Sequence, residues 1–154
     1  MLQKLQKRKE SGFTIIEVLI VLAIAGLIML VVFLAVPALQ RNSRNTTYRN
    51  EASRLLDAYA EISANKGGSV LGGTTEAADV TAVMGAANTK SITSLGIKAG
   101  NTGTLPANTD TALIRTGVKC NTSLDDTTSG STRQVVVLFR VETSGGTQLQ
   151  CVEG

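Results

Sequence analysis

A single carboxylate, Glu17, stands in the run Phe13-Thr-Ile-Ile-Glu17-Val-Leu-Ile-Val-Leu-Ala-Ile-Ala-Gly26, where every neighbour is uncharged. A charge in that setting has one evident chemical use, which is to take a cationic partner. Insertion scales put an Asp-type residue at the centre of a membrane helix at roughly 2.5–3.5 kcal/mol, and less near the interface. The other chemistry-bearing pair is Cys120 and Cys151. Catalysis has little to work with. The chain has no histidine, which removes the commonest general base and metal ligand. It contains no glycine-rich phosphate loop, nucleophile elbow or metal-ligand cluster. Asp125-Asp126, among Ser and Thr, offers oxygens of the kind calcium takes, but without the ligand spacing of a known loop, and a solvated turn is the better reading. Arg41, Arg44, Arg49 and Arg54 are interspersed with acids, and aromatics are few. They read as solvated helix surface or as partners for neighbouring subunits, so no specific nucleic-acid site is evident. No enzyme activity, cofactor or metal is expected.

The element that must position Glu17 is an apolar helix. From Val18 to Gln40 there are 23 residues without a charge, enough to cross a bilayer. Ahead of it, Lys4, Lys7, Arg8, Lys9 and Glu10 account for the entire net charge of +3, and residues 13–154 are formally neutral. The basic leader should stay in the cytoplasm and send the C-terminal part across the membrane. An ordinary cleaved secretory signal fits poorly, because the run exceeds the usual core of about 7–15 residues and no small-x-small site clearly ends it. A plain single-pass anchor accounts for the apolar run but leaves the Gly12-Phe13 junction and Glu17 unexplained.

The stretch Lys7-Arg-Lys-Glu-Ser-Gly12-Phe-Thr-Ile-Ile-Glu17, followed by Gly26 in its Ile/Leu/Val/Ala run, strongly resembles the processing site of type IV prepilins and the related pseudopilins. The resemblance covers the first third of the chain. It implies that residues 1–12 are a cytoplasmic leader, cut after Gly12 by a prepilin peptidase, and that Phe13 becomes an N-methylated N-terminus. It further implies that Glu17 is the assembly residue, pairing with the Phe13 amine of an adjacent subunit. The implied partners are further copies of the chain in a helical filament, the pilus assembly machinery, and the membrane before assembly. The implied location is single-pass in the cytoplasmic (inner) membrane, then an extracellular pilus filament. The favoured function is a type IV pilin serving adhesion, twitching motility or DNA uptake. The alternatives are a pseudopilin of a type II secretion or competence system and, less favoured, a membrane-anchored binding protein. Pro37 lies three residues beyond the family's usual helix proline, so the resemblance does not place a kink.

Beyond Pro37, Tyr48, Ala52, Leu55, Tyr59 and Ile62 recur at helical steps and share one face. Gly67-Gly68 after Lys66 reads as a helix stop. A long helix is therefore expected over 13–66, with 13–39 its transmembrane and assembly segment, a length of roughly 80 Å. Residues 67–154 are expected to form a small globular head. Within it, Glu76 to Ala87 suits a short helix with Val80, Val83, Met84 and Ala87 on one side, and the rest of 67–110 reads as loops. Ala112–Cys120 and Arg133–Thr143 read as strands, and Thr147–Val152 can return as a hairpin after Ser144-Gly-Gly146. The expected fold class is α+β: a long N-terminal helix, transmembrane then amphipathic, packed on a small antiparallel sheet, as in type IV pilin-like proteins. Cys120 and Cys151 are even in number and fall outside the cytoplasm, which favours a disulfide over two buried thiols. A disulfide-bounded C-terminal loop also resembles what many type IV pilins carry.

Overall fold

The computed structural model describes residues 12–69 and 76–154. The chain forms two compact units, Met1–Leu39 and Gln40–Gly154. Helix α1, Ile15–Asn65, begins in the first and ends in the second. In the first unit its large apolar side chains are exposed on every side. Pro37 sits inside the helix. Its missing N–H leaves the Phe33 carbonyl without the usual donor four residues on, yet the chain stays helical on both sides.

Within the second unit α1 becomes amphipathic. Tyr48, Ala52, Leu55, Leu56 and Tyr59 are buried and Ile62 packs against them, which is the face that the spacing singles out. The helix closes with the Gly68 amide donating to the Ser63 carbonyl at 2.8 Å and the Gly67 amide to Ala64 at 3.0 Å. Both glycines have positive φ, and the paired bonds satisfy carbonyls that the helix end would otherwise orphan. Helix α2 spans Glu76–Ala87, with Val83 and Ala87 buried and Val80 and Met84 packed against the same core.

The main sheet has the order β1-β2-β5-β6, formed by Ser94–Ala99 (β1), Thr111–Thr116 (β2), Val135–Thr143 (β5) and Gly146–Glu153 (β6). A separate two-stranded ribbon pairs β3, Val118–Cys120, with β4, Thr127–Ser129. Strand β5 explains why its sequence is apolar without alternation. Val137, Phe139 and Val141 join the helix-side core, while Val136 and Leu138 join a second cluster with Leu113, Val118, Leu149 and the two cysteines. A strand covered on both faces needs apolar residues at both parities.

Three expectations are corrected. The sheet is not purely antiparallel, because β1 pairs with β2 in parallel, Ser94 opposite Thr111 through Ala99 opposite Thr116. Residues 94–99, read as loop, are that added strand. The single strand expected over 112–120 is two, divided at Gly117, whose φ of 74° turns the chain out of β2 and into the ribbon. The left-handed region is open to glycine at little cost. The result is an α+β fold with an antiparallel-rich sheet.

Candidate processing and assembly site

Gly12, Phe13 and Glu17 lie at the N-terminal end of α1, in the first unit. Among the described residues, chain neighbours aside, none comes within 4 Å of where a Gly12 side chain would start. Phe13 is 89% exposed. Thr14 and Glu17 form a reciprocal cap. The Thr14 amide and Oγ1 both donate to Glu17 Oε2, at 2.9 and 2.8 Å, and the Glu17 amide donates back to Thr14 Oγ1 at 3.3 Å. This is the Ser/Thr-x-x-Glu pattern that satisfies free amides at a helix start. Thr14 is a residue that the sequence reading missed, although the spacing Thr14-x-x-Glu17 announces it. Both donors converge on Oε2, and Oε1 takes no hydrogen bond from the described residues.

Among the described residues one helix, α1, is long and apolar enough to cross a membrane. The segment that carries Glu17 is thus a continuous apolar surface, fitted to membrane anchoring.

The second unit holds the cysteines and the contacts that fix α1 to the sheet. Cys120 of β3 and Cys151 of β6 are joined by a disulfide, with their Cα atoms 5.7 Å apart. The bond ties the ribbon to the last strand of the main sheet, and the Cys120 amide donates to Glu153 Oε1 at 2.6 Å beside it. Where α1 enters this unit, Arg44 makes two bonds to the Glu142 carboxylate, at 2.8 and 2.6 Å. Asn45 donates to the Glu142 carbonyl at 2.8 Å and accepts from its amide at 2.7 Å, imitating a neighbouring strand. The Arg44 guanidinium holds the Glu142 carboxyl below the usual carboxylate range, against a smaller upward push from burial. Arg44 therefore has its partner inside its own chain. Arg49 reaches Gln150 Oε1 at 3.1 Å, and Arg54 lies 3.7 Å from Glu51.

Buried charges, Glu51 and Arg115 among them, also escaped the sequence reading. Glu51 is 1% exposed. Its carboxylate accepts the amides of Lys90, Ser91 and Ile92 at 2.7–3.1 Å. Burial pushes its pKa up, but the donors from Ile92, Lys90 and Ser91 together outweigh that and hold it below the ordinary value. Arg115, 4% exposed, donates to the carbonyls of Thr102 and Gly103 and to Thr127 Oγ1, at 3.0, 3.2 and 2.9 Å, and also bonds Asn101. It knits the β1–β2 connection to β4. Asp125 accepts from Asn121 Nδ2 at 2.8 Å and its own amide donates to Asn121 Oδ1 at 3.1 Å, which closes the turn at the ribbon's tip.

Gly12, Phe13 and Glu17 belong to one unit, and the disulfide belongs to the other. No curated protein and no solved structure matches the chain. A family model does match: residues 7–33 fit the prokaryotic N-terminal methylation motif. That span takes in the Gly12-Phe13 junction, Thr14, Glu17 and most of the apolar run, and it supports a precursor of the type IV pilin or pseudopilin kind. At residues 7–33 the chain carries the class III signal peptide of type IV pilin-like proteins.

Proposed function

We propose that the chain is a structural subunit of a type IV pilus, processed after Gly12, N-methylated at Phe13 and assembled through its apolar helix into a filament that presents the heads outward. It acts by packing and not by catalysis. The observation that carries this reading is the pairing of a methylation motif with a helix whose apolar surface the chain itself leaves uncovered. In the membrane that surface faces lipid, and in a filament it faces copies of itself. The disulfide-held ribbon on the head, a feature in keeping with pilins, favours this role over that of a secretion pseudopilin.

Glu17 has two tasks on this reading. Oε2 caps the chain's own helix through Thr14, and Oε1 takes the Phe13 amine of a neighbouring copy. Cleavage puts that amine and the carboxylate one helical turn apart in every copy, so docking in the right axial register relieves a buried charge that is costly alone. The test joins intact-mass analysis of the native protein to electron microscopy of material sheared from cells. The expected results are a chain lacking residues 1–12 and bearing one added methyl, and thin filaments containing it. A mature N-terminus beyond Pro37, or cells that process the chain normally but bear no such filaments, would overturn the reading. Glu17→Gln should still insert and be cleaved, with filament yield sharply reduced.

A further inference from the structure

The second unit shows two features that fit one another. Outside the apolar segment 13–39, only Leu105 and Leu124 stand as exposed large hydrophobic side chains among the described residues. Leu124 is 50% exposed and sits in the turn between β3 and β4 with a φ of 57°, a left-handed conformation that a leucine rarely adopts. The turn is held there by its own bonds. The Asn121 amide donates to the Asp126 carbonyl at 3.0 Å and the Leu124 amide to the Asn121 carbonyl at 3.1 Å, in addition to the Asn121–Asp125 pair. Backbone strain held in place by its surroundings points to a use for the side chain that it aims.

The second feature is an open groove of about 480 Å³ between the last turns of α1 and the start of β5. Leu56, Tyr59, Ala60, Ala64 and Val135 give it apolar walls, and Arg133 stands on its rim. Arg133 is exposed and makes no side-chain hydrogen bond or ion pair with the other described residues. Beside Leu124 the turn carries Asp125, also exposed. An apolar knob flanked by an acid thus has its counterpart in an apolar groove flanked by a base. Among the described residues none fills the groove. The ribbon's base, where the Gly130 amide bonds the Gly117 carbonyl, adjoins the groove residues Thr116 and Thr132, and Leu124 is at the opposite end of the ribbon.

We propose that Leu124 of one copy docks in the groove of the next, with Asp125 meeting Arg133. Two different patches are used, so the contact is head-to-tail and propagates instead of closing into a dimer. The inference rests on the filament reading and names the contact between neighbouring globular units. The test places photoreactive benzoylphenylalanine at position 124 of the full chain in cells. Illumination should give covalent oligomers whose cross-linked peptides contain residues 56–64 or 133–135. The same group at position 105 should give none. Ala64→Trp, which fills the groove from the exposed side of α1, should abolish the product. Arg133→Asp or Asp125→Arg alone should lower it by about threefold to fivefold, the scale of an exposed ion pair, and the two together should restore it. Filaments seen by electron microscopy without groove cross-links overturn this contact and leave the filament reading standing. Groove cross-links without filaments support the contact and count against the filament. If neither appears, both fall.

Discussion

Glu51→Ala should destabilise the second unit by about 3–4 kcal/mol, the middle of a range of about 2–5 kcal/mol that can be built up from the structure. The substitution removes the acceptor of three backbone amides at once. Ile92 is fully buried, so its amide has no route to water, and an unsatisfied buried donor costs about 1–3 kcal/mol. Lys90 and Ser91 are nearer the surface, and water can replace part of what they lose, at about 0.5–1 kcal/mol each. Glu51→Gln should cost about 2 kcal/mol, because one amide oxygen remains while the new NH2 faces donors. The assay is provided by the sequence. Tyr48 and Tyr59 are its only tyrosines, there is no tryptophan, and both are buried in the core beside Glu51. Tyrosine fluorescence of the full chain in detergent therefore follows unfolding of this unit. A loss of 3–4 kcal/mol should lower its midpoint temperature by about 12–25 °C for a domain of roughly 100 residues. The pH dependence has a definite sign. The folded pKa of Glu51 lies below its unfolded value, so its contribution is complete above the unfolded pKa and is lost as pH falls through the folded one. The gap between native protein and Glu51→Gln should be full at neutral pH and should shrink in the acid range below about pH 4.5. A Glu51→Ala midpoint within 2 or 3 °C of native, or a gap of the same size at acid and neutral pH, would refute the reasoning.

Replacing Cys120 and Cys151 together by serine should cost about 3–4 kcal/mol in the chain-entropy model for a separation of 31 residues; denaturant midpoints read this, and a change under 1 kcal/mol counts against it. Asn45→Ala should cost about 1–3 kcal/mol and raise amide exchange selectively at Glu142, and unchanged protection there would show that the amide clamp is idle. Thr14→Val should remove about 1 kcal/mol of helix-start stability, visible as faster exchange over the first turn of α1. Arg115→Leu should strand the Thr102 and Gly103 carbonyls and loosen the β1–β2 connection, seen as early proteolysis within 100–110, with β5 and β6 still protected.

Legibility in the sequence followed the range of the interaction. The apolar run, the glycine stop after Lys66 and the buried face of α1 were readable because each depends on residues within two helical turns. Strand β1 was not. It is six residues long, contains Gly96 and Lys98, and shows only Leu95 and Ile97 as apolar signal. What makes it a strand is parallel pairing with β2, a contact that local pattern does not encode. Gly96, within a stretch read as loop, lies in β1 close under Leu113, whose Cδ1 would be 3.1 Å from a Cβ placed there. Glu51 failed for a related reason. A carboxylate on a helix is assigned to solvent by default, and only the loop 39 to 41 residues further on supplies the donors that make its burial tolerable. At the candidate site, the motif residues were legible as a string. The cap between Thr14 and Glu17 is written in the same string, in the Thr-x-x-Glu spacing of a helix start.

The energetics of the apolar segment bear on what any assembly must supply. From Phe13 to Leu39, nineteen large apolar side chains are exposed. At about 1.5–3 kcal/mol for each one buried, covering them is worth on the order of 30–60 kcal/mol, well above the 5–15 kcal/mol that stabilises a typical folded domain. Covering that surface therefore governs where the chain can reside. Lipid and a bundle of identical helices cover it almost equally well, since acyl chains are as apolar as leucine. On the filament reading, hydrophobicity keeps the chain out of water but gives little preference for filament over membrane. The preference has to come from groups that the two environments treat differently. Glu17 is one, unpaired in lipid and paired beside a neighbour's amine, and the surfaces of the heads are the other. A subunit that lost its carboxylate would still be inserted and anchored, and would lack the term that draws it out of the bilayer into register.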